Sequence, residues 1–235
     1  MNATNQADWQ QRHAEVVGSA PRLPPESLSS LSEEFIDLLS LFESVNESIG
    51  TYDYPPRDNT KSTRQRIIEN PDSDESLVLA EQLPEIVRTL SRHVRLFRQH
   101  SSVGLMLLSQ GQIPMREREI VVLRIAWRCQ APYEWGEHVF VAKRVGISQN
   151  DIEAIIQGPD DGNWNLHESA VLRAVDELYD NAMISDKTWA VLAESWNEQQ
   201  LIELPFLVGQ YQSVAYYQNS LKLRLHGGNE GLAAR

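Results

Sequence analysis

The sequence predicts an all-α fold, and three observations carry that prediction. Apolar residues recur at helical spacing through nearly all of the chain beyond residue 82. The signatures Ser148-x-x-Asp151 and Asn165-x-x-Glu168 mark helix starts of the capping type. No run of alternating β-branched residues bounded by hairpin turns occurs anywhere.

Residues 1–80 read as an N-terminal extension. Pro21-Arg-Leu-Pro-Pro25 excludes helix, whereas Phe35, Leu38, Leu39 and Phe42 lie on one face of an amphipathic helix. Asp53 to Asp74 is rich in Pro, Asp, Asn, Ser and Thr, which predicts a long polar loop. Residues 81–225 form the main domain. A helix is expected over Leu83–His100, with Pro84 tolerated in its first turn. Met115–Cys129 is apolar enough to be buried on most sides. Pro132 breaks that helix and opens the next, which runs to about Val145 with Gly146 closing it. A short helix follows from Ser148 and stops at Gly158-Pro159, and another starts at Asn165. Ser185 caps a helix reaching Trp196, and the last long helix spans Glu198 to about Leu223. Residues 226–235 are glycine-rich and read as a flexible tail.

Charge is distributed unevenly. Residues 1–80 carry 14 acidic against 6 basic side chains, residues 81–145 carry 6 against 10, and residues 146–235 carry 13 against 5, giving the net −12. An acidic chain repels nucleic acid and anionic membrane, so neither is expected as a partner. The basic middle either attracts a small anionic substrate or pairs with acidic neighbours inside the fold. One cysteine in 235 residues excludes an internal disulfide and a CxxC redox pair. Met1 is followed by polar residues with no apolar leader segment, and Leu201–Tyr217 is too polar to span a bilayer. The expectation is a soluble, cytoplasmic protein.

A shift of 81 residues lays Arg116–Leu123 over Asn197–Leu204 with the apolar pattern preserved. On the same shift Trp127 meets Val208, Glu134 meets Ala215 and His138 meets Asn219, so the titratable side chains survive only in the first copy.

That first copy carries the chemistry. Glu134 and His138 are four apart, hence on one helix face. Pro132 folds two helices into a hairpin, which lets Glu119 approach His138 from the other arm. A carboxylate, an imidazole and a second carboxylate in an apolar surround suit proton transfer near neutral pH. Gly136 inside this helix lets a backbone or a ligand come close.

The segment resembles the carboxymuconolactone decarboxylase / alkylhydroperoxidase-type (AhpD-like) family, an all-helical group of trimers and hexamers. The peroxidase branch shows a Glu, a Cys twelve residues on, a second Cys three further and a His four further; here those positions are Glu119, Ala131, Glu134 and His138. Leu83–His93, Ile113–Glu119, Glu134–His138 and Gln200–Gln210 look like the decarboxylase branch, and the likeness covers roughly residues 82–225. The resemblance implies an AhpD-like helical bundle with two pseudo-repeated helical hairpins. Both redox cysteines are replaced, and Cys129 has no partner, so thiol peroxidase activity is not expected.

What the resemblance implies is a cofactor-independent carboxy-lyase, or a related isomerisation or elimination, acting on a small unsaturated carboxylic acid or lactone. His138 is then the acid/base, Glu119 its orienting partner and Glu134 a second proton carrier. Tyr133 and Trp135 are candidates to line the substrate pocket, and Arg124 or Arg128 to anchor an anion. Homo-oligomerisation as a trimer or hexamer is implied as well. Two other classes stay open: a scaffold that kept the fold without catalysis, and a metal-binding variant using Glu119, Glu134, Glu137 and His138.

Overall fold

The computed structural model describes residues 3–26, 34–35, 85–161, 164–225 and 227–235. The helices bounded among these residues are α1 (Ala3–Val17), α2 (Glu85–Leu90), α3 (Val94–Gln110), α4 (Met115–Arg128), α5 (Pro132–Arg144), α6 (Gln149–Gln157), α7 (Leu166–Asn181), α8 (Asp186–Ala193) and α9 (Glu198–Leu221). Short 3-10 turns join α2 to α3 at Ser91–His93 and follow α9 at Gly231–Ala233. No strand occurs among the described residues. The chain divides into two compact units, one of residues up to Arg22 together with Gly111–Arg235, the other Leu23–Gln110. This grouping differs from a division at residue 80.

In the second unit the expected helix from Leu83 is two helices, and it runs on past His100 to Gln110. The extension follows from the buried stripe Phe97, Ser101 and Leu105, which continues the helical period beyond the expected end. Arg92 donates to Pro24 O at 2.9 Å and pairs with Glu26 at 2.7 Å. Phe35 is fully buried. Leu38, Leu39, Phe42 and the loop expected over Asp53–Asp74 lie outside the described residues.

The first unit is built on α4. Ten consecutive residues, Arg118 to Trp127, are buried, which is why the pattern here is apolar all round rather than striped. The α5, α6, α7 and α9 helices all pack on it. Ends are set locally. Ser148 and Asn197 each form a capping box, with Asp151 and Gln200 respectively. Pro132 is the first residue of α5, where a missing N–H costs nothing. The turn before it needs Gln130 at φ 49°, and Asn219 Nδ2 holds it by donating to Cys129 O at 3.1 Å and Gln130 O at 3.2 Å.

Several arginines of the basic middle are paired inside the fold. Arg124 is 5 % exposed; its fork meets both oxygens of Asp176 at 2.8 Å, and its Nη1 donates to Ile155 O and Ile156 O, the last carbonyls of α6. Arg116 pairs with Glu168 at 2.9 Å, and Arg128 with Asp176 and Asp180. Neither Arg124 nor Arg128 is placed as an anion anchor.

The C-terminal residues correct the reading of a flexible tail. Leu232 is fully buried, Trp135 Nε1 donates to Ala234 O at 3.0 Å, and Arg235 reaches Glu153 at 2.7 Å. Arg235 also lies over Trp127, 5.5 Å from its ring centroid, and Trp127 packs on Trp9 of α1. The glycines that suggested fraying supply the positive φ of a tight docking turn: Gly227, Gly228 and Gly231 all have φ between 54° and 85°. The 81-residue shift also has a limit. The α4–α5 turn at 129–131 maps onto 210–212, where α9 runs on unbroken, so the shift matches helix to helix and not hairpin to hairpin.

Candidate active site

Three helices bring one buried polar cluster together. Glu119 sits one turn inside α4, and Glu134 and His138 share a face of α5. His138 Nδ1 lies 2.7 Å from Glu119 Oε2, and its Nε2 lies 3.3 Å from Glu134 Oε1. Arg118 Nε donates to the other oxygen of Glu119 at 3.0 Å. From α9, Gln218 Nε2 donates to Glu134 Oε2 at 2.9 Å, and the Tyr211 ring meets His138 edge-on at 5.0 Å. Glu119 is fully buried, and Arg118, Glu134, Tyr211 and Gln218 are each 5 % exposed or less.

Burial alone penalises every charge here. It works against the His138 imidazolium, but the charge and hydrogen bond of Glu119, then of Glu134, overcome it and push its pKa up to about 10. Burial likewise opposes the Glu119 carboxylate; the His138 charge and hydrogen bond, then Arg118, hold its pKa below the usual value. Burial, then the Glu134 and Glu119 charges, raise the Tyr211 phenol well above its ordinary value, and burial with Glu134 does the same to Tyr217. Both phenols stay protonated at any physiological pH.

The structure therefore brings Glu119, Glu134 and His138 together. Tyr133 is 4 % exposed on the next position of α5, with its carbonyl accepting from Asn229 Nδ2 at 3.0 Å. Trp135 is placed elsewhere: its indole packs tilted against Trp127, with ring centroids 4.9 Å apart, and is bonded to the C-terminal segment. Cys129 lies at the far end of α4; burial pushes its thiol up to about 12 against the weaker opposing charge of Arg128. It is held as a thiol, the unreactive form. No group of three or more His, Cys, Asp or Glu among the described residues is arranged to hold a metal ion.

Three members of the cluster escaped the sequence reading. Gln218 had a legible signal, because it falls at i+7 of the buried stripe Tyr211, Val214, Ala215 on α9. A glutamine on an apolar stripe implies a buried partner. Tyr211 lies on the same stripe, where an aromatic reads as plain core. Arg118 had no signal beyond its adjacency to Glu119.

Residues 95–177 match the carboxymuconolactone decarboxylase family. That match spans the middle of the chain, from α3 into α7. The fold agrees with solved structures. A peroxidase-related protein from Silicibacter with no characterised function aligns with TM-score 0.58 and 13 % identity over 77 % of this chain and 94 % of its own. An alkylhydroperoxidase AhpD core protein from Ralstonia eutropha aligns with TM-score 0.56 and 17 % identity over 74 % and 91 %. A protein of unknown function from Agrobacterium tumefaciens, proposed as an AhpD-type antioxidant defence protein, aligns with TM-score 0.55 and 14 % identity over 59 % and 95 %. At such identities the likeness is one of fold. None of the curated proteins compared matches in sequence. Within this AhpD-like fold, the cluster described above lies in the segment that matches the family model, except for Tyr211 and Gln218.

Proposed function

We propose that this protein is a cofactor-independent acid–base enzyme, a carboxy-lyase or a related isomerase or eliminase of small unsaturated carboxylic acids or lactones. One observation carries the reading: both ring nitrogens of His138 face carboxylates, at 2.7 and 3.3 Å, in a buried setting that keeps the ring charged. A decarboxylation leaves an electron pair on carbon and needs one proton delivered there. His138 holds that proton on Nε2, Glu119 fixes the ring through Nδ1, and Arg118 keeps Glu119 ionised. When Glu134 swings aside, Nε2–H is presented to the substrate carbon; carbon dioxide leaves, the carbon takes the proton, and Glu134 returns one from solvent. Glu134 occupies a position where the peroxidase pattern has a thiol, so the site exchanges protons and not electrons.

The test is a thermal-shift screen of wild type and His138→Ala against unsaturated acids and lactones, with carbon dioxide release followed for each hit. A compound that stabilises and is consumed by wild type alone supports the reading; full turnover by His138→Ala defeats it. A second reading, a non-catalytic scaffold, is favoured by one observation: the cluster bonds to itself, with Glu119 satisfied by Arg118 and His138, and Glu134 by Gln218 and His138. It predicts no stabilising ligand. A homo-oligomer, trimer or hexamer, and a cytoplasmic location belong to the same proposal; light scattering on the purified protein tests the first. No helix among the described residues is long and apolar enough to cross a membrane.

A further inference from the structure

The buried network leaves one atom over. Gln218 is 2 % exposed, and its Nε2 donates to Glu134 Oε2 at 2.9 Å. A carboxylate only accepts, so the NH2 side of the amide must face Glu134 and its carbonyl must face away. That carbonyl, Oε1, is buried and has no hydrogen-bond partner among the described residues. A buried acceptor without a donor destabilises the fold. Leu or Met would avoid that penalty but leave Glu134 Oε2 without its donor, so the NH2 side of the amide is accounted for by Glu134 and Oε1 alone is left over.

We propose that Gln218 links ligand to proton carrier: its Nε2 positions the Glu134 carboxylate against His138, and its Oε1 accepts from a hydroxyl or N–H group of the ligand. The inference rests on the acid–base reading of the same site and narrows its substrate class to small unsaturated acids or lactones bearing such a donor. The groups facing His138 are Glu119 from α4, Glu134 from α5 and the Tyr211 ring from α9; Arg118 faces Glu119, and the Glu134 charge raises Tyr217. Of these, Glu119 is gripped from its own helix by Arg118, whereas Glu134 is gripped by Gln218 from a helix 84 residues away. Gln218 is thus a positioning residue for Glu134, and through it for the Nε2 side of His138.

Histidine 15N titration of the full chain tests the positioning half in wild type, Gln218→Met and Gln218→Glu. Met matches the size but neither donates nor accepts strongly, so Glu134 is released and the His138 midpoint falls by about one pH unit, tenfold in proton affinity. Glu is isosteric, and because two buried carboxyl groups 2.9 Å apart do not ionise together it keeps a proton and donates it to Glu134, so the midpoint stays near that of wild type. A purely structural role moves both variants the same way or neither, and that result overturns the proposal. If Gln218→Met does not fold, Gln218→Asn decides, since the shorter amide is withdrawn from Glu134: a lowered midpoint supports, an unchanged one overturns. The ligand half is read by thermal shift with a matched pair of probes, crotonate and 4-hydroxycrotonate. Greater stabilisation of wild type by the hydroxylated acid, lost in Gln218→Met, is expected; equal shifts mean that no ligand donor meets Oε1 and overturn this half. None of these readouts needs turnover, so failure of the acid–base reading and failure of this inference are separately visible.

Discussion

Replacing Gly136 by alanine inverts the usual effect of that substitution, and a second glycine provides the control. In a helix interior Gly→Ala ordinarily stabilises by about 1 kcal/mol through backbone entropy and helix propensity. At Gly136, in α5, an added Cβ overlaps Asn229 Oδ1 and comes within 2.9 Å of the backbone nitrogen of Gly231. Asn229 cannot simply turn away, because its side chain donates to Tyr133 O at 3.0 Å and Glu137 Oε1 at 2.7 Å and accepts from Gly231 N at 2.8 Å. Losing those bonds, one of them to a charged group, costs about 3–4 kcal/mol. Set against the alanine gain, the net is a loss of about 2–3 kcal/mol. Displacing the Gly231 backbone adds to it by loosening Leu232, which is fully buried, and the Trp135 bond to Ala234. Gly209, exposed in α9, has nothing within 4 Å of an added Cβ, so Gly209→Ala gains the ordinary 1 kcal/mol. At this chain length 1 kcal/mol corresponds to about 2–4 °C in Tm. Calorimetry then shows Gly209→Ala melting a few degrees above wild type and Gly136→Ala about 4–12 °C below it. If Gly136→Ala melts as high as Gly209→Ala, the C-terminal segment is not seated on α5 as described and the argument is refuted.

The remaining predictions concern charge and the thiol. Arg124→Met leaves Asp176 without its fork and frees two α6 carbonyls, for a loss of about 3–5 kcal/mol by urea unfolding. Arg124→Lys keeps the charge but not the bidentate geometry and recovers only part of it; full recovery counts against the fork. The His138 pKa is raised on folding from 6.5 to about 10, so the stability it supplies is complete below pH 6.5 and is lost as pH climbs through 10. The Glu119 pKa is lowered, so its share is present above pH 4.5 and fades as the pH falls further. The stability difference between wild type and His138→Gln, measured against pH, is therefore greatest near pH 5–6 and shrinks toward pH 10 by a few kcal/mol; a difference that is flat over that range refutes the buried pairing. Burial pushes the Cys129 thiol up to about 12, so iodoacetamide at pH 8 alkylates it on the order of tenfold to a hundredfold more slowly in the native protein than in urea, the scarcer thiolate being partly offset by its greater nucleophilicity. Equal rates would falsify its burial as described.

Much of this molecule is decided by periodicity alone. The buried α4, the Pro132 start of α5, the caps Ser148, Asn165, Ser185 and Asn197, and the approach of Glu119 to Glu134 and His138 all follow from residues within about twenty positions of one another. Helix geometry converts such short spacings into contacts without knowledge of the rest of the chain. What the tertiary structure alone decided lies at long separation. Gln218 meets Glu134 across 84 residues, Trp135 meets Ala234 across 99, and Arg124 reaches Asp176 across 52. Those pairings turned a supposed tail into a docked element, placed Trp135 away from the cluster it was expected to line, tied both candidate arginines to aspartates, and left His138 a proton between two carboxylates. The physical reason is the same in each case: a buried polar group must be met by whichever partner the packing of distant helices delivers, and local spacing does not encode that partner.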